Sequence, residues 1–264
     1  MSGRFDGKVV LITGGGTGIG AATARHIAAE GGKVVVTGRR SGPIEAVAAE
    51  TGGIAVAGDT TDVEHIAAAV AVARDRFGGL DVLVANAGVE VLGSVEEIDL
   101  DDWRSALQTN VDGAMLFARA AIPAMRDRGG GAIILVSSVA ALAGAPHYVS
   151  YLTSKTALIG LNRSLAYDYG PEKIRSNALC PGWVRTEMAE RFLGEFAAAK
   201  GISLEEMIRT VAKPYPLRRM AAPEEIAAVI AFLASEDASF MTGATVVADG
   251  GGASVDIGTL ALAG

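Results

Sequence analysis

Seven short apolar runs punctuate the chain, at 9–13, 34–37, 54–57, 82–85, 133–137, 176–180 and 245–248. Most are apolar at nearly every position instead of alternating. That is the pattern of strands covered on both faces, as in a parallel sheet. Between them lie Ala-rich segments with helical periodicity near 19–30, 43–50, 62–77, 101–127, 151–169 and 223–235. Thr61 and Glu64 have the spacing of a capping box for the third of these, and Pro223 suits the first turn of the last. The alternation predicts right-handed βαβ units and an α/β, doubly wound, seven-stranded parallel sheet flanked by helices. No linker, repeat or charge block divides residues 1–264, so a single domain is expected. Only 187–214 breaks the rhythm, with Met188, Phe192, Leu193, Phe196 and Met207 in short helical patterns. A long insertion after a strand is expected to be a lid over a substrate pocket. The alternative is a helical excursion packed on the body.

Composition narrows the classes of function. Half of the 264 residues are hydrophobic, ample for a core, and the formal net charge is -7. The acidic balance argues against nucleic acid or an anionic membrane as partner. No uninterrupted apolar run reaches the roughly 20 residues of a membrane span, and the first residues show no apolar leader. A lone Cys180 excludes an internal disulfide and a cysteine zinc cluster, and it reads as a buried packing residue. No histidine–carboxylate spacing suggests a metal site, and no Gly-x-Ser-x-Gly elbow suggests an esterase. A cytoplasmic protein without a metal is expected.

The first strand runs into Thr13-Gly14-Gly15-Gly16-Thr17-Gly18-Ile19-Gly20. Glycines let backbone approach a pyrophosphate, and the following helix offers free N–H groups and the positive end of its dipole. Gly16, Gly18 and Ala21 fit one spacing; Gly14, Gly18 and Gly20 fit another. The second is preferred because Gly14 follows the strand at once, where the turn must begin. The second strand ends Thr37-Gly38-Arg39-Arg40. A carboxylate there would hold the two ribose hydroxyls of NAD. Gly38 takes that place, and Arg39 and Arg40 suit a 2′-phosphate. NADP(H) is therefore favoured, with NAD(H) as the alternative if the arginines are merely solvated.

Tyr151 and Lys155 stand four residues apart on a predicted helix, which places phenol and ammonium on one face. A cation beside a phenol favours phenolate and lowers its pKa, making Tyr151 a candidate general acid and base. Tyr148 is a rival phenol, but position 152, four residues on, is Leu152 and not a lysine. Ser138, at the end of the fifth strand, would orient a substrate oxygen. Ser137 beside it should face the other way and serve structure.

With these residues goes a resemblance. The glycine loop, Asn86-Ala87-Gly88, Asn110, Ser138, Tyr151-x-x-x-Lys155 and Pro181-Gly182 occur in the order of the short-chain dehydrogenase/reductase family, single-domain non-extended type, across essentially the whole chain. The resemblance implies a Rossmann fold and hydride transfer between a nicotinamide cofactor and a secondary alcohol or ketone. It implies roles residue by residue. Gly14, Thr17, Gly18, Ile19 and Gly20 would hold the diphosphate. Asp59 would meet the adenine amino group, with Thr60 beside it, and Asn86, Ala87 and Gly88 would form the floor under the adenosine ribose. Tyr151 would be the acid and base, with Lys155 lowering its pKa and holding the nicotinamide ribose. Ser138 would steady the substrate oxygen. Asn110 would kink its helix so that a carbonyl holds a relay water. Pro181, Gly182, Val184 and Thr186 would line the nicotinamide and diphosphate. It implies a homotetramer, to which the Ala-rich helices and the apolar tail 255–262 would contribute.

The substrate side reads as mainly apolar, with Trp183, Met188, Phe192, Leu193 and Leu142, and with Glu90 and His147 as polar contacts. This favours a cyclic or medium-sized apolar ketone or alcohol. His26 and His65 lie on predicted helices and read as structural. Two other functions keep the fold: a non-catalytic dinucleotide-binding sensor, and epimerisation or dehydration with bound cofactor. The complete Ser/Tyr/Lys set speaks against the first, and the lack of a second substrate domain against the second.

Overall fold

The computed structural model describes residues 3–256 and 258. Strands β1 (Val9–Thr13), β2 (Lys33–Gly38), β3 (Ile54–Ala57), β4 (Val82–Ala85), β5 (Gly131–Val136), β6 (Ile174–Pro181) and β7 (Thr245–Ala248) form one seven-stranded sheet in the order β3-β2-β1-β4-β5-β6-β7. Every pairing is parallel. Val10 of β1 stands opposite Val34 on one side and Val82 on the other. The chain works outward from β1 through β3, then returns to place β4 on the opposite side of β1. That reversal opens a crevice at the carboxyl ends of β1 and β4, where doubly wound folds place their ligands.

The continuous apolar runs now have their reason, since alternate residues feed two different cores. Val10, Ile12, Val34, Val36, Val82 and Val84 pack in one layer, against α1 (Gly18–Ala29), α2 (Ser41–Thr51) and α9 (Pro223–Ala234). Val9, Leu11, Val35, Leu83, Ile133 and Leu135 pack in the other, against α3 (Val63–Phe77), α5 (Gly113–Asp127) and α6 (Val149–Tyr169).

The segment expected as one helix over 101–127 is divided. It comprises α4 (Leu100–Leu107), a π-helical turn at Gln108–Asp112, and α5. A single π turn remains helical and carries no breaker residue, so the run reads as one helix. The expected Thr61–Glu64 capping box is also corrected. Asp62 is the N-cap of α3 and its carboxylate accepts from the Glu64 N–H. Thr61 lies one residue too early, and its hydroxyl donates to Asp59 Oδ1 at 2.7 Å.

Residues 187–214 fold into α7 (Glu187–Lys200) and α8 (Leu204–Ala212). Thr186 caps α7 by accepting from the Ala189 N–H, Glu187 and Glu190 occupy its first turn, and Gly201 ends it in the left-handed region. These are consecutive start and stop signals. Ser203 caps α8 in turn. The two helices share a small core of Leu193, Ala197, Met207, Ile208 and Met220, separate from the two sheet cores. The tail proposed for subunit contact, 255–262, lies largely outside the described residues. Among the described residues no helix is long and apolar enough to cross a membrane.

Candidate active site

A cleft of about 1650 Å³ runs along the carboxyl ends of the strands. Of the residues singled out in the sequence, Gly14, Thr17, Gly18, Ile19, Arg39, Asp59, Thr60, Asn86, Ala87 and Gly88 line its cofactor end. Glu90, Ser138, Tyr151, Lys155, Pro181, Gly182, Trp183, Val184, Thr186 and Met188 line the remainder. Gly20 and Asn110 stand behind this lining. His147 is not brought to the cleft: its Nδ1 lies 2.9 Å from Glu97 Oε2 in an exposed pair, so a substrate contact by His147 is not supported.

The glycine loop follows the Gly14, Gly18, Gly20 spacing. Gly14 and Gly18 take φ of +63° and +52°, where a side chain would be strained. A Cβ on Gly20 would meet the Gly14 carbonyl oxygen at 2.3 Å and Asn86 Nδ2 at 2.7 Å. Gly16 has no positive φ, and its Cβ would meet Pro43 and Ile44 on α2 instead. Thr17 is the N-cap of α1 but makes no side-chain cap hydrogen bond, and the first turn holds no acid. Free N–H groups and an uncompensated dipole therefore face the cleft, which fits a diphosphate.

The floor is tied down by hydrogen bonds from β1 to the loop after β4. The Thr13 hydroxyl accepts from the N–H groups of Asn86 at 3.0 Å and Ala87 at 2.9 Å. Asn86 Nδ2 donates to the carbonyls of Thr13 at 3.0 Å and Gly14 at 3.2 Å. Sequence reading passed over Thr13, whose only signal is a hydroxyl at the last position of β1.

Asn110 sits in the π turn and clamps Val89 from both sides. Its Oδ1 accepts from the Val89 N–H at 2.8 Å, and its Nδ2 donates to the Val89 carbonyl and to Ser154 Oγ, each at 2.9 Å. Ser154 belongs to α6, so this side chain binds the β4 loop to the helix that carries Tyr151 and Lys155. Ser137, as expected, is structural: its hydroxyl donates to the Lys155 carbonyl at 2.7 Å.

Ser138, Tyr151 and Lys155 converge at the end of β5. Although Tyr151 keeps some surface along the cleft, burial pushes its phenol up to about 12; the Ser138 hydroxyl donates to it and opposes the rise, and Glu90 adds to it. Lys155 is buried and driven down to about 8 by that burial, against the charges of Cys180 and Glu90. Its Nζ donates to the Val136 carbonyl at 2.9 Å and lies 5.6 Å from the centroid of the Tyr151 ring. Desolvation sets the direction for Tyr151, and the Lys155 ammonium, expected to lower the phenol, is turned to a carbonyl instead.

The substrate end is built by aromatic rings. Tyr148 packs edge-on against Tyr151 at 6.1 Å and Phe192 at 6.0 Å, and Phe192 lies 6.0 Å from Trp183. Tyr148, set aside in the sequence as a rival phenol, thus lines the cleft three residues before Tyr151, as does Arg191 of α7. Among the described residues no group of three or more His, Cys, Asp or Glu is placed to hold a metal ion.

Comparison with known proteins identifies the family and agrees with the fold. A family model described as enoyl-(acyl carrier protein) reductase matches residues 14–253. Protein MoaE of Klebsiella aerogenes is 44% identical over 258 residues, covering 97% of this chain and 99% of that protein. 2-(S)-hydroxypropyl-CoM dehydrogenase 3 of Xanthobacter autotrophicus is 40% identical over 257 residues, covering 95% and 98%. Among solved structures, levodione reductase superposes with a TM-score of 0.91 at 31% identity, covering 96% of this chain and 100% of that one. Aldohexose dehydrogenase of Thermoplasma acidophilum gives 0.89 at 32%, covering 96% of each. The chain belongs to the short-chain dehydrogenase/reductase family. Membership implies a nicotinamide cofactor and supports an oxidoreductase role.

Proposed function

We propose that this protein is an NAD(P)-dependent alcohol dehydrogenase or ketoreductase, acting on a secondary alcohol or ketone of small to medium size. The observation that carries this reading is the convergence of Ser138, Tyr151 and Lys155 on the cleft that the glycine loop opens. A bound nicotinamide supplies or accepts the hydride. The protein's residues handle the oxygen and its proton. Negative charge builds on the substrate oxygen during reduction; Ser138 donates a hydrogen bond to it and Tyr151 donates the proton. In oxidation Tyr151 takes the alcohol proton. A phenol near 12 gives up its proton more readily once Lys155 turns from the Val136 carbonyl toward it. Lys155 would also hold the nicotinamide ribose, with Asn110 keeping the floor beside it in place.

Asp59 and Thr60 would meet the adenosine end, and Pro181, Gly182, Val184 and Thr186 the nicotinamide and diphosphate. NADP(H) is favoured over NAD(H) because Gly38 leaves no acid at the end of β2, while Arg39 and Arg40 line the same end of the cleft. The helix pair α7–α8 serves as a substrate lid, supported by its separate core and by Met188 and Arg191 on the cleft wall. Assembly as a homotetramer is supported by exposed Tyr167 on α6 and Phe240 before β7.

The direct test is nicotinamide absorbance with purified protein across a panel of ketones and secondary alcohols, run with NADPH and with NADH. Turnover with NADPH in excess of NADH is expected. Tight cofactor binding with no turnover on any member would favour the sensor reading instead.

A further inference from the structure

An ion pair spans the cleft at its cofactor end. Arg40, which follows β2 and is the N-cap residue of α2, has a guanidinium nitrogen 3.8 Å from Oε2 of Glu187, the first residue of α7. Both residues line the cleft. Their side chains are 67% and 72% exposed, so the pair lies open to solvent and to an incoming ligand. It joins the wall at the end of β2 to the helix pair α7–α8.

Local structure sets this reach. Glu187 and Glu190 are the two acids in the first turn of α7. Glu190 is held by Arg185, which also holds Glu205 of α8. Glu187 pairs across the cleft instead. The N-cap before it, Thr186, is seated on the glycine loop: a Cβ on Gly18 would lie 3.0 Å from Thr186 Cγ2. That seat keeps the start of α7 beside the loop suited to a diphosphate. Arg40 has a second claim on it. With Gly38 in place of an acid, its guanidinium suits a 2′-phosphate. At 3.8 Å the pair with Glu187 is a charge contact without a hydrogen bond. Exposed pairs of this kind are weak. A phosphate brings more charge and more acceptor oxygens than a carboxylate. Two anions at one guanidinium repel each other. NADP(H) must therefore take Arg40 from Glu187, and NAD(H) need not.

We propose that Glu187 is a specificity-determining residue: its carboxylate stands in for the 2′-phosphate at Arg40 and so narrows the preference for NADP(H) over NAD(H). This rests on the NADP(H) reading of the same cleft.

Fluorescence titration at low ionic strength gives Kd for NADPH and for NADH without turnover. In Glu187→Gln the ratio of the NADH Kd to the NADPH Kd should rise roughly two- to fivefold over the wild type, the range of an exposed ion pair. Glu190→Gln removes the same charge from the same turn and should leave the ratio as it is. In an Arg40→Gln background Glu187→Gln should lose most of its effect, since the contested guanidinium is gone. An unchanged ratio in Glu187→Gln, or an equal rise in Glu190→Gln, overturns the proposal. So does a rise that persists in full without Arg40, which assigns it to direct repulsion of the phosphate. If Arg40→Gln alone keeps the wild-type ratio, the phosphate reading of Arg40 fails and this proposal with it. Hydride transfer with either cofactor in that case leaves the oxidoreductase reading intact. A selective Glu187 effect with no turnover of any ketone or alcohol sinks the ketoreductase reading and spares the competition.

Discussion

Lys155 Nζ lies 5.6 Å from the centroid of the Tyr151 ring, yet donates its hydrogen bond to the Val136 carbonyl at 2.9 Å. The two groups that share one helical face are therefore shifted in opposite directions by the same burial. Lys155 sits at about 8 against an ordinary 10.5, and Tyr151 at about 12 against 10.0. Between 8 and 10.5 the unfolded chain carries a proton that the native lysine has shed, so this group makes stability rise with pH. Between 10 and 12 the native tyrosine keeps a proton that the unfolded chain has lost, so stability falls. Urea unfolding of cofactor-free protein should show the difference between wild type and Lys155→Met widening in favour of the wild type from pH 8 to 10. The change across that window should be about 2 kcal/mol. A constant difference across that window would contradict the buried, proton-shedding lysine.

Tyr151→Phe removes the proposed proton donor and little volume. We expect kcat to fall by about 10²–10⁴-fold, with NADPH affinity, followed by fluorescence, close to that of the wild type. Full activity in this variant would refute the acid and base role.

The glycine loop makes a steric prediction. In Gly20→Ala the new methyl would sit 2.3 Å from the Gly14 carbonyl and 2.7 Å from Asn86 Nδ2. Neither is a loose side-chain end, because Asn86 is held by two carbonyls. Displacing them should cost about 1–3 kcal/mol of stability and sharply weaken cofactor binding. Gly42→Ala, where nothing lies within 4 Å of the new methyl, is the control and should bind cofactor as the wild type does.

Cofactor choice is tested at Gly38. A Cβ there meets only Ile44 Cγ2, at 3.2 Å, so an aspartate is tolerable with a small shift of a side chain. Gly38→Asp should swing the kcat/KM ratio toward NADH by an order of magnitude or more, because a carboxylate close to a 2′-phosphate repels it. An unchanged ratio would mean that Arg39 and Arg40 do not read the phosphate.

What the residues disclosed in advance follows from what they interact with. Strands such as Val9–Thr13 were legible because Val9, Val10, Leu11 and Ile12 are each buried in one of two cores, and burial makes a run apolar. Ser138, Tyr151 and Lys155 were legible because their chemistry and spacing are unusual together. The π turn at Gln108–Asp112 was not, since it stays helical and holds no Gly or Pro to mark it. The effect of burial on Tyr151 was not legible for a related reason. Spacing tells which groups share a face, but not how much water reaches them or where the ammonium points. The pairing of His147 with Glu97 links segments fifty residues apart, beyond the reach of local pattern.

The small core of α7 and α8 has a mechanical consequence. Leu193, Ala197, Met207, Ile208 and Met220 satisfy one another, so the pair holds its shape without leaning on either sheet layer. As the lid proposed above, a body of that kind would swing as a door does, complete on its hinge, and closing it would freeze few rotamers that were not already fixed. Evolution can then redecorate the inner panel, around Met188, Arg191 and Phe192, without rebuilding the frame.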